Sequence, residues 1–257
     1  MKARIVTIAA LLFSLMIGAA AAEIAAHRAL YELSLAHARG DIQAATGTMA
    51  YEVTDACEGW VVHQRLAMTL TNGDGQDIDM LSDYTTYESK DGSELRFRSR
   101  QTTDGAVTSE VVGEARMGPN GGEAVYTLPE ATTKKLAPRT LFPNAHTEAL
   151  LKAAAAGKKF IEMPLFDGTG ADGAQDSSVA IASWTGPAAS KWPELATLSS
   201  GRVHVAFFDQ AAGTQQPEYE VTMRYWDNGV ADDLLMDFGD FSMRGKMSNF
   251  VLGKKGC

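Results

Sequence analysis

The sequence predicts a mainly β protein in which one large, twisted antiparallel sheet curls towards a barrel and one main α-helix packs against it. Apolar and polar residues alternate with a period of two over many segments, as they do in half-buried strands. Turn dipeptides separate these segments, and a single segment rich in strong helix formers interrupts them. The pattern alone does not distinguish a barrel from a sandwich.

The chain begins with a segment typical of an export signal. Lys2 and Arg4 precede an apolar run that ends in four alanines, and Glu23 follows at once. This order predicts a cleaved signal peptide over residues 1–22 rather than an uncleaved membrane anchor. No later apolar run in the sequence is long enough to span a bilayer, so we expect residues 23–257 to be soluble in an exported, oxidising compartment.

The chain contains two cysteines, Cys57 and Cys257. In an oxidising compartment two lone cysteines most simply pair with each other. The alternatives are an intermolecular bridge or a reactive thiol at Cys57, but the carboxylates of Asp55 and Glu58 beside that position oppose a thiolate. We therefore predict an intramolecular disulfide between the two cysteines.

Charge and composition limit the classes of partner. The chain carries 23 basic and 32 acidic side chains, for a net charge of −9, which argues against binding to nucleic acid or to an anionic lipid surface. No Pro/Ser-rich linker, block of charge or fixed-period repeat divides residues 23–257. This segment is therefore predicted to form a single domain.

The predicted strands follow one another in hairpins. Alternation predicts strands at residues 31–35, 49–54, 94–100, 218–225 and 241–248, and a more evenly apolar run at 202–209 is expected to be central. Asn-Gly or Asp-Gly pairs supply the positive φ that tight turns require, which predicts antiparallel neighbours. These pairs lie at residues 72–73, 91–92, 104–105, 120–121 and 228–229.

The one predicted helix lies between two sets of strands. Residues 147–156 are rich in alanine and other strong helix formers, residues 142–146 lead into them, and Gly157 follows. Such a segment favours a helix that ends at the glycine. Its small alanine face allows close packing against a sheet, as a lid or a plug.

No constellation for catalysis is found in the sequence. The nucleophile motif of serine hydrolases, G-x-S-x-G, does not occur, and no glycine-rich phosphate loop opens a helix. His204 lies a few residues before Asp209, and the two could act as a catalytic base and the acid that orients it. The favoured interpretation is a histidine on the less buried face of a strand. We therefore predict no catalytic residue and a protein that is not an enzyme.

Metal and cofactor sites are not predicted either. Residues 167–173 interleave acids with glycines but lack the spaced acids and closing glutamate of a calcium loop, so a turn is expected there. The histidines are far apart in the chain and have no zinc-binding spacing. They are His27, His37, His63, His146 and His204.

Three arginines form the one candidate cluster for anion binding. Arg96, Arg98 and Arg100 project from one face of a predicted strand, and guanidinium groups in such a row suit phosphate or carboxylate recognition. The favoured alternative is a solvated face on which these arginines pair with acids such as Glu110 and Glu114.

Methionine is the second feature compatible with a ligand. Nine methionines follow residue 22, and their soft side chains adapt to varied acyl or aromatic shapes. Ordinary core packing is the favoured alternative. Four of them lie near the predicted C-terminal strands, namely Met223, Met236, Met243 and Met247.

Several segments of the chain form a recognisable combination, at residues 27–31, 47–52, 142–146, 166–168, 192–193, 202–208 and 217–245, with a terminal Cys257. Together they resemble the EipB family of periplasmic envelope-integrity proteins of Gram-negative bacteria. The resemblance implies an open, spiral β-barrel (a β-spiral) that is similar in outline to the lipoprotein carriers LolA and LolB. It also implies a disulfide between an early and a C-terminal cysteine, positions that Cys57 and Cys257 match, and a periplasmic tetratricopeptide-repeat partner.

These observations predict a non-enzymatic periplasmic protein that supports cell-envelope integrity by binding an envelope lipid, a lipoprotein or a protein partner. One alternative is a pure protein-interaction scaffold with a packed interior. The other is an envelope hydrolase, for which the sequence offers no catalytic constellation. No cofactor, metal, nucleic acid or transmembrane segment after signal cleavage is expected.

Overall fold

The computed structural model describes residues 24–210, 216–254 and 256–257. Within these ranges, fourteen β-strands form one antiparallel sheet, and one α-helix lies between the eighth and ninth strands. The predicted signal peptide at residues 1–22 lies outside the described residues. The prediction of a mainly β, open barrel-like fold with one helix is confirmed.

The elements follow the chain in an unbroken order. The first eight strands are β1 (His27–Ala38), β2 (Ile42–Asp55), β3 (Gly59–Asn72), β4 (Asp77–Ser89), β5 (Glu94–Thr103), β6 (Ala106–Gly118), β7 (Gly121–Leu128) and β8 (Thr132–Leu136). The helix, α1, spans Pro143–Ala155. The remaining strands are β9 (Phe160–Leu165), β10 (Gln175–Ile181), β11 (Ser200–Asp209), β12 (Tyr219–Trp226), β13 (Ala231–Asp237) and β14 (Phe241–Leu252).

The two halves of the sheet meet at its centre. The strand order is β8-β7-β6-β5-β4-β3-β2-β1-β14-β13-β12-β11-β10-β9. Consecutive strands of the chain are therefore neighbours in the sheet, except β8 and β9, and the first strand, β1, also pairs with the last, β14. In that pair His27 lies opposite Leu252 and Ala38 lies opposite Phe241. The sheet does not close, because β8 and β9 are its two edges.

The sheet curls because one of its faces is apolar. On β1, Ala29, Tyr31 and Leu33 are buried, whereas the residues between them are exposed. Met68 on β3 and Val203 on β11 belong to one hydrophobic cluster although five strands separate β3 from β11. Burial of the apolar face, which stabilises by about 25 cal/mol per Å², therefore brings distant strands together.

All five predicted turn dipeptides lie at hairpins, between β3 and β4, β4 and β5, β5 and β6, β6 and β7, and β12 and β13. Asp104 and Gly105 have φ values of 50° and 78°, the pair of positive angles that a two-residue hairpin turn needs. At the first turn the positive φ falls on Gly75 (76°) instead of Gly73, because the connection there is longer than two residues.

The helix begins earlier than its composition predicts. Pro143 occupies the first turn of α1, and Phe142, the residue before it, provides no side-chain cap. The helix ends at Ala155, and Gly157 follows with a φ of 74°, as predicted for a glycine that ends a helix. Leu150 and Leu151 of α1 are buried in the main hydrophobic cluster, so the helix packs against the inner face of the sheet.

The disulfide joins Cys57, in the turn between β2 and β3, to Cys257, beyond the end of β14. The two Cα atoms are 5.4 Å apart and 200 residues apart in the sequence. Gly256 passes so close to Asp55 that a side chain at position 256 would collide with the Asp55 backbone oxygen. The bond therefore fixes the C-terminus against the β2–β3 hairpin.

We expect Cys257→Ser to lower the melting temperature and leave the fold intact. Opening a loop with a sequence separation of 200 residues removes up to about 5 kcal/mol of chain-entropy stabilisation, and each kcal/mol corresponds to about 2–4 °C in a chain of this size. Thermal unfolding followed by circular dichroism measures the change. Cys57→Ser and the double variant are matched controls, and both should lose as much as Cys257→Ser and no more. An unchanged melting temperature contradicts the prediction.

Candidate ligand cavity

The curled sheet and α1 form a partly open cavity of about 770 Å³. Its walls come from β1 to β6, from β9 to β14 and from the first two turns of α1. Small-molecule sites in proteins have volumes of about 300–1,000 Å³. The interior is therefore large enough for a ligand.

One wall of the cavity is apolar. Met49, Leu66 and Met68 line it from β2 and β3, and Met223 and Met236 line it from β12 and β13. Met243 and Met247 on β14 belong to the main hydrophobic cluster and do not line the cavity. All four C-terminal methionines singled out in the sequence are part of this cluster, and two of them, Met223 and Met236, also line the cavity.

Four aromatic rings extend this apolar wall. Phe207 stacks on Tyr219 with ring centroids 5.9 Å apart, Tyr219 lies 5.3 Å from Phe238, and Phe238 lies 5.1 Å from Phe241. All four residues line the cavity. Aromatic pairs at these spacings hold one another in place, so this part of the wall is expected to be stiffer than the methionine-lined part.

An adjoining part of the cavity lining is a polar wall. Successive inward positions of β4 carry Ser82, Tyr84 and Thr86, and Gln64 on β3 and Ser99 on β5 lie beside them. These side chains offer hydroxyl and amide groups to the interior. The cavity is therefore amphipathic, with hydrogen-bonding groups next to an apolar surface.

Glu88 on β4 caps the N-terminus of α1. Its carboxylate accepts hydrogen bonds from the backbone N–H of Asn144 (2.7 Å) and of Ala145 (2.8 Å), which supplies the cap that Phe142 lacks. Glu88 is 1% exposed. Burial raises its pKa to about 7, although the two N–H bonds act in the opposite direction.

His146 connects α1 to β9 and β10. Its Nε2 lies 2.7 Å from Ser177 Oγ, and the Ser177 hydroxyl donates to the carbonyl oxygen of Met163 at 2.8 Å. Because the serine proton is used for that bond, the His146 Nε2–H must be the donor to Ser177. Burial lowers the pKa of His146 to about 4, so the ring is neutral at pH 7.

Asp167 lines the cavity next to the polar wall. Its Oδ1 accepts hydrogen bonds from the N–H (2.9 Å) and the hydroxyl (2.8 Å) of Thr169, and its carbonyl accepts one from the Tyr84 hydroxyl. Burial raises the pKa of Asp167. Residues 167–173 form a turn between β9 and β10, as the sequence predicts.

One buried ring nitrogen beside the cavity lacks a partner among the described residues. The Nδ1–H of His27 donates to the Ala25 carbonyl at 2.8 Å, which leaves Nε2 as an acceptor without a hydrogen bond. His27 is 3% exposed. Buried groups of this kind are rare in native proteins.

The three predicted arginines lie on the outer face of the sheet, away from the cavity. Arg96 bonds Glu94 at 2.8 Å and Arg98 bonds Glu110 at 2.7 Å, while Arg100 lies opposite Glu110 across the β5–β6 pair. These arginine side chains are exposed, so such pairs contribute little stability. Anion binding by this row stays a prediction.

His204 also lies on the outer face. Its Nε2 is 2.9 Å from Glu220 Oε2 and its Nδ1 is 2.9 Å from Thr222 Oγ1, both on β12. The acid that meets this ring is thus Glu220, which the sequence does not single out. These contacts are ordinary cross-strand pairs between β11 and β12. They explain His204 as a surface residue without a catalytic role.

The described residues contain neither a metal site nor a membrane-spanning helix. Among residues 24–210, 216–254 and 256–257, no group of three or more His, Cys, Asp or Glu side chains is placed to hold a metal ion. The helix in this part of the chain is not long and apolar enough to cross a membrane.

The fold and the cavity together define an open β-barrel-like protein with an internal site of small-molecule size. Residues 18–254 match the sequence profile of the family described as EipB-like, and the chain belongs to that family. It is 31% identical to the cell envelope integrity protein EipB of Brucella abortus (strain 2308) over 254 residues, which cover 93% of this chain and 90% of that protein.

A solved structure shares the fold. The crystal structure of a beta-barrel-like protein of domain of unknown function DUF1849 from Brucella abortus matches with a TM-score of 0.83 and 29% sequence identity. The match covers 90% of this chain and 99% of that chain. The open barrel-like architecture is therefore shared with an experimentally determined relative.

We expect Glu88→Gln to change how stability depends on pH. The pKa of the Glu88 carboxyl is about 7 in the folded protein, against 4.5 for an unperturbed glutamate. Such a group contributes stability that is fully present below about pH 4.5 and is lost as the pH rises through 7. His146, with a folded pKa of about 4, has the opposite slope between pH 4 and 6.5. The measured quantity is therefore the difference in unfolding free energy between wild type and variant at each pH.

This difference should shrink by up to about 3 kcal/mol between pH 4.5 and 7.5, as chemical denaturation at fixed pH values can measure. Glu130→Gln, at an exposed position, is the matched control and should show a constant difference. A difference between wild type and Glu88→Gln that does not change with pH contradicts the assignment of the buried carboxyl.

Proposed function

We propose that this protein supports cell-envelope integrity in the periplasm, as a non-enzymatic binding protein that holds an acyl chain of an envelope lipid or lipoprotein in its cavity. The observation that carries the proposal is the cavity of about 770 Å³, which is lined by both apolar and polar side chains. The envelope role is supported by the name of the Brucella abortus relative, cell envelope integrity protein EipB.

The apolar wall suits an acyl chain in particular. Four methionines and one leucine, from strands in both halves of the sheet, contribute to it, and methionine adapts its shape to flexible ligands. These residues are Met49, Leu66, Met68, Met223 and Met236. Each methylene group transferred from water to such a surface contributes about 0.8 kcal/mol. A chain of several carbons therefore gains enough free energy to offset the cost of its ordering.

The disulfide supports a periplasmic location. Cys57 and Cys257 are both exposed in the folded protein, so a reducing cytosol would have access to the bond. Disulfides form and persist in oxidising compartments such as the bacterial periplasm. This agrees with the export signal that the first 22 residues predict.

The two alternative functions receive less support from the geometry. A scaffold with a packed interior conflicts with a cavity of about 770 Å³. For a hydrolase, the His146–Ser177 pair has the wrong proton arrangement, since the histidine donates to the serine and does not accept from it. The tetratricopeptide-repeat partner and the outline of the LolA and LolB carriers stay predictions.

We expect Leu66→Trp to reduce lipid binding strongly. Leu66 is half-buried and lines the cavity, and a tryptophan there occupies volume that a ligand needs. Binding is measured with N-phenyl-1-naphthylamine, an uncharged apolar fluorophore whose emission rises in an apolar site. Wild type should bind the fluorophore, and mono-acyl lipids should displace it.

His63→Trp is the matched control, because His63 lies on the same strand with its side chain exposed on the outer face. This variant should bind the fluorophore as wild type does. Absence of fluorophore binding to wild type, or equal binding by the Leu66→Trp and His63→Trp variants, contradicts the proposed acyl site.

A further inference from the structure

The described part of the chain contributes no cationic side chain to the cavity lining. Among the described residues that line it, none is lysine or arginine, and Asp167 is the one acid. His27 and His146 also line it, but burial lowers the pKa of each imidazole, so both are neutral at pH 7. The fixed charge of the interior is therefore either zero or negative.

The polar wall can nevertheless satisfy many hydrogen bonds. Gln64 and Thr86 present amide and hydroxyl groups. Gln101 on β5 and Ser82 on β4 add another amide and another hydroxyl to the lining. The second carboxylate oxygen of Asp167, Oδ2, accepts no hydrogen bond from the described residues. Donors and acceptors are thus both present without a compensating positive charge.

This combination discriminates between head groups of a bound amphiphile. An anionic group placed in the cavity loses hydration and finds no cation among the described lining residues, and Asp167 lies in the same cavity. A head group with hydroxyls or amides loses less hydration energy and regains hydrogen bonds from the polar wall. The loss is therefore compensated more fully for the uncharged head.

We propose that the cavity takes a single-chain amphiphile whose head group is uncharged and rich in hydroxyl or amide groups, and that it rejects the same chain with an anionic head. This inference rests on the proposed function, in which the cavity holds an acyl chain. The apolar wall selects the chain, and the polar wall selects the head.

Two detergents with the same ten-carbon chain test the inference. Decyl glucoside has an uncharged head with several hydroxyls, and decyl sulfate is a permanent anion. Each is titrated below its micelle-forming concentration against wild-type protein loaded with N-phenyl-1-naphthylamine. Decyl glucoside should displace the fluorophore at a concentration at least about tenfold lower than decyl sulfate, given the penalty for burying an unpaired charge.

Asp167→Asn provides an internal check, because asparagine keeps the oxygen that accepts the Thr169 bonds and removes the negative charge. The preference for decyl glucoside should narrow by about threefold or more in this variant as like-charge repulsion is removed. Asp74→Asn, at an exposed position in the β3–β4 turn, is the matched control and should keep the wild-type preference.

The outcomes separate this inference from the function on which it rests. Displacement by decyl sulfate at an equal or lower concentration overturns the head-group preference and leaves the acyl site standing. A fluorophore that does not bind to wild type, or that neither detergent displaces, overturns the acyl site and the preference together. A preference that Asp167→Asn and Asp74→Asn leave equally unchanged contradicts the role given to Asp167.

Discussion

The hydrogen bonds from the Asn144 and Ala145 N–H groups to the Glu88 carboxylate hold the helix inside the curled sheet. No residue of the helix itself provides a side-chain cap, so without Glu88 two N–H groups at the start of α1 would be buried without a partner. The first two turns of α1 form part of the cavity wall. The position of this carboxylate therefore sets the shape of the interior as well as the stability of the helix.

The path of the chain explains why the sheet can remain open. The first and last strands pair at the centre of the sheet, and the disulfide joins regions next to that pair. The free edges are instead β8 and β9, the strands that flank the helix in the sequence. The helix α1 is bonded to β4 through Glu88 and to β10 through His146. These side-chain contacts connect the two halves of the sheet on the side where their edge strands do not pair.

The sequence predicts those features that depend on neighbouring residues. The alternation over 94–100 and the Asp104-Gly105 turn act locally, and the structure confirms both. The capping role of Glu88 depends on residues about 56 positions later, so no local pattern indicates it. The polar wall was missed for a different reason. Ser82, Tyr84 and Thr86 share a face of β4, but Asp83 and Thr85 on the other face are also polar, and alternation therefore does not reveal which face is internal.

The central claim is that the interior is a binding site and not merely a void. Native mass spectrometry of the protein, isolated from its own cell envelope without detergent, tests this claim most directly. The account predicts a bound component that is released on unfolding and carries an acyl chain. A protein of the mass of the polypeptide alone, which also takes up no lipid when mono-acyl lipids are added, would contradict it.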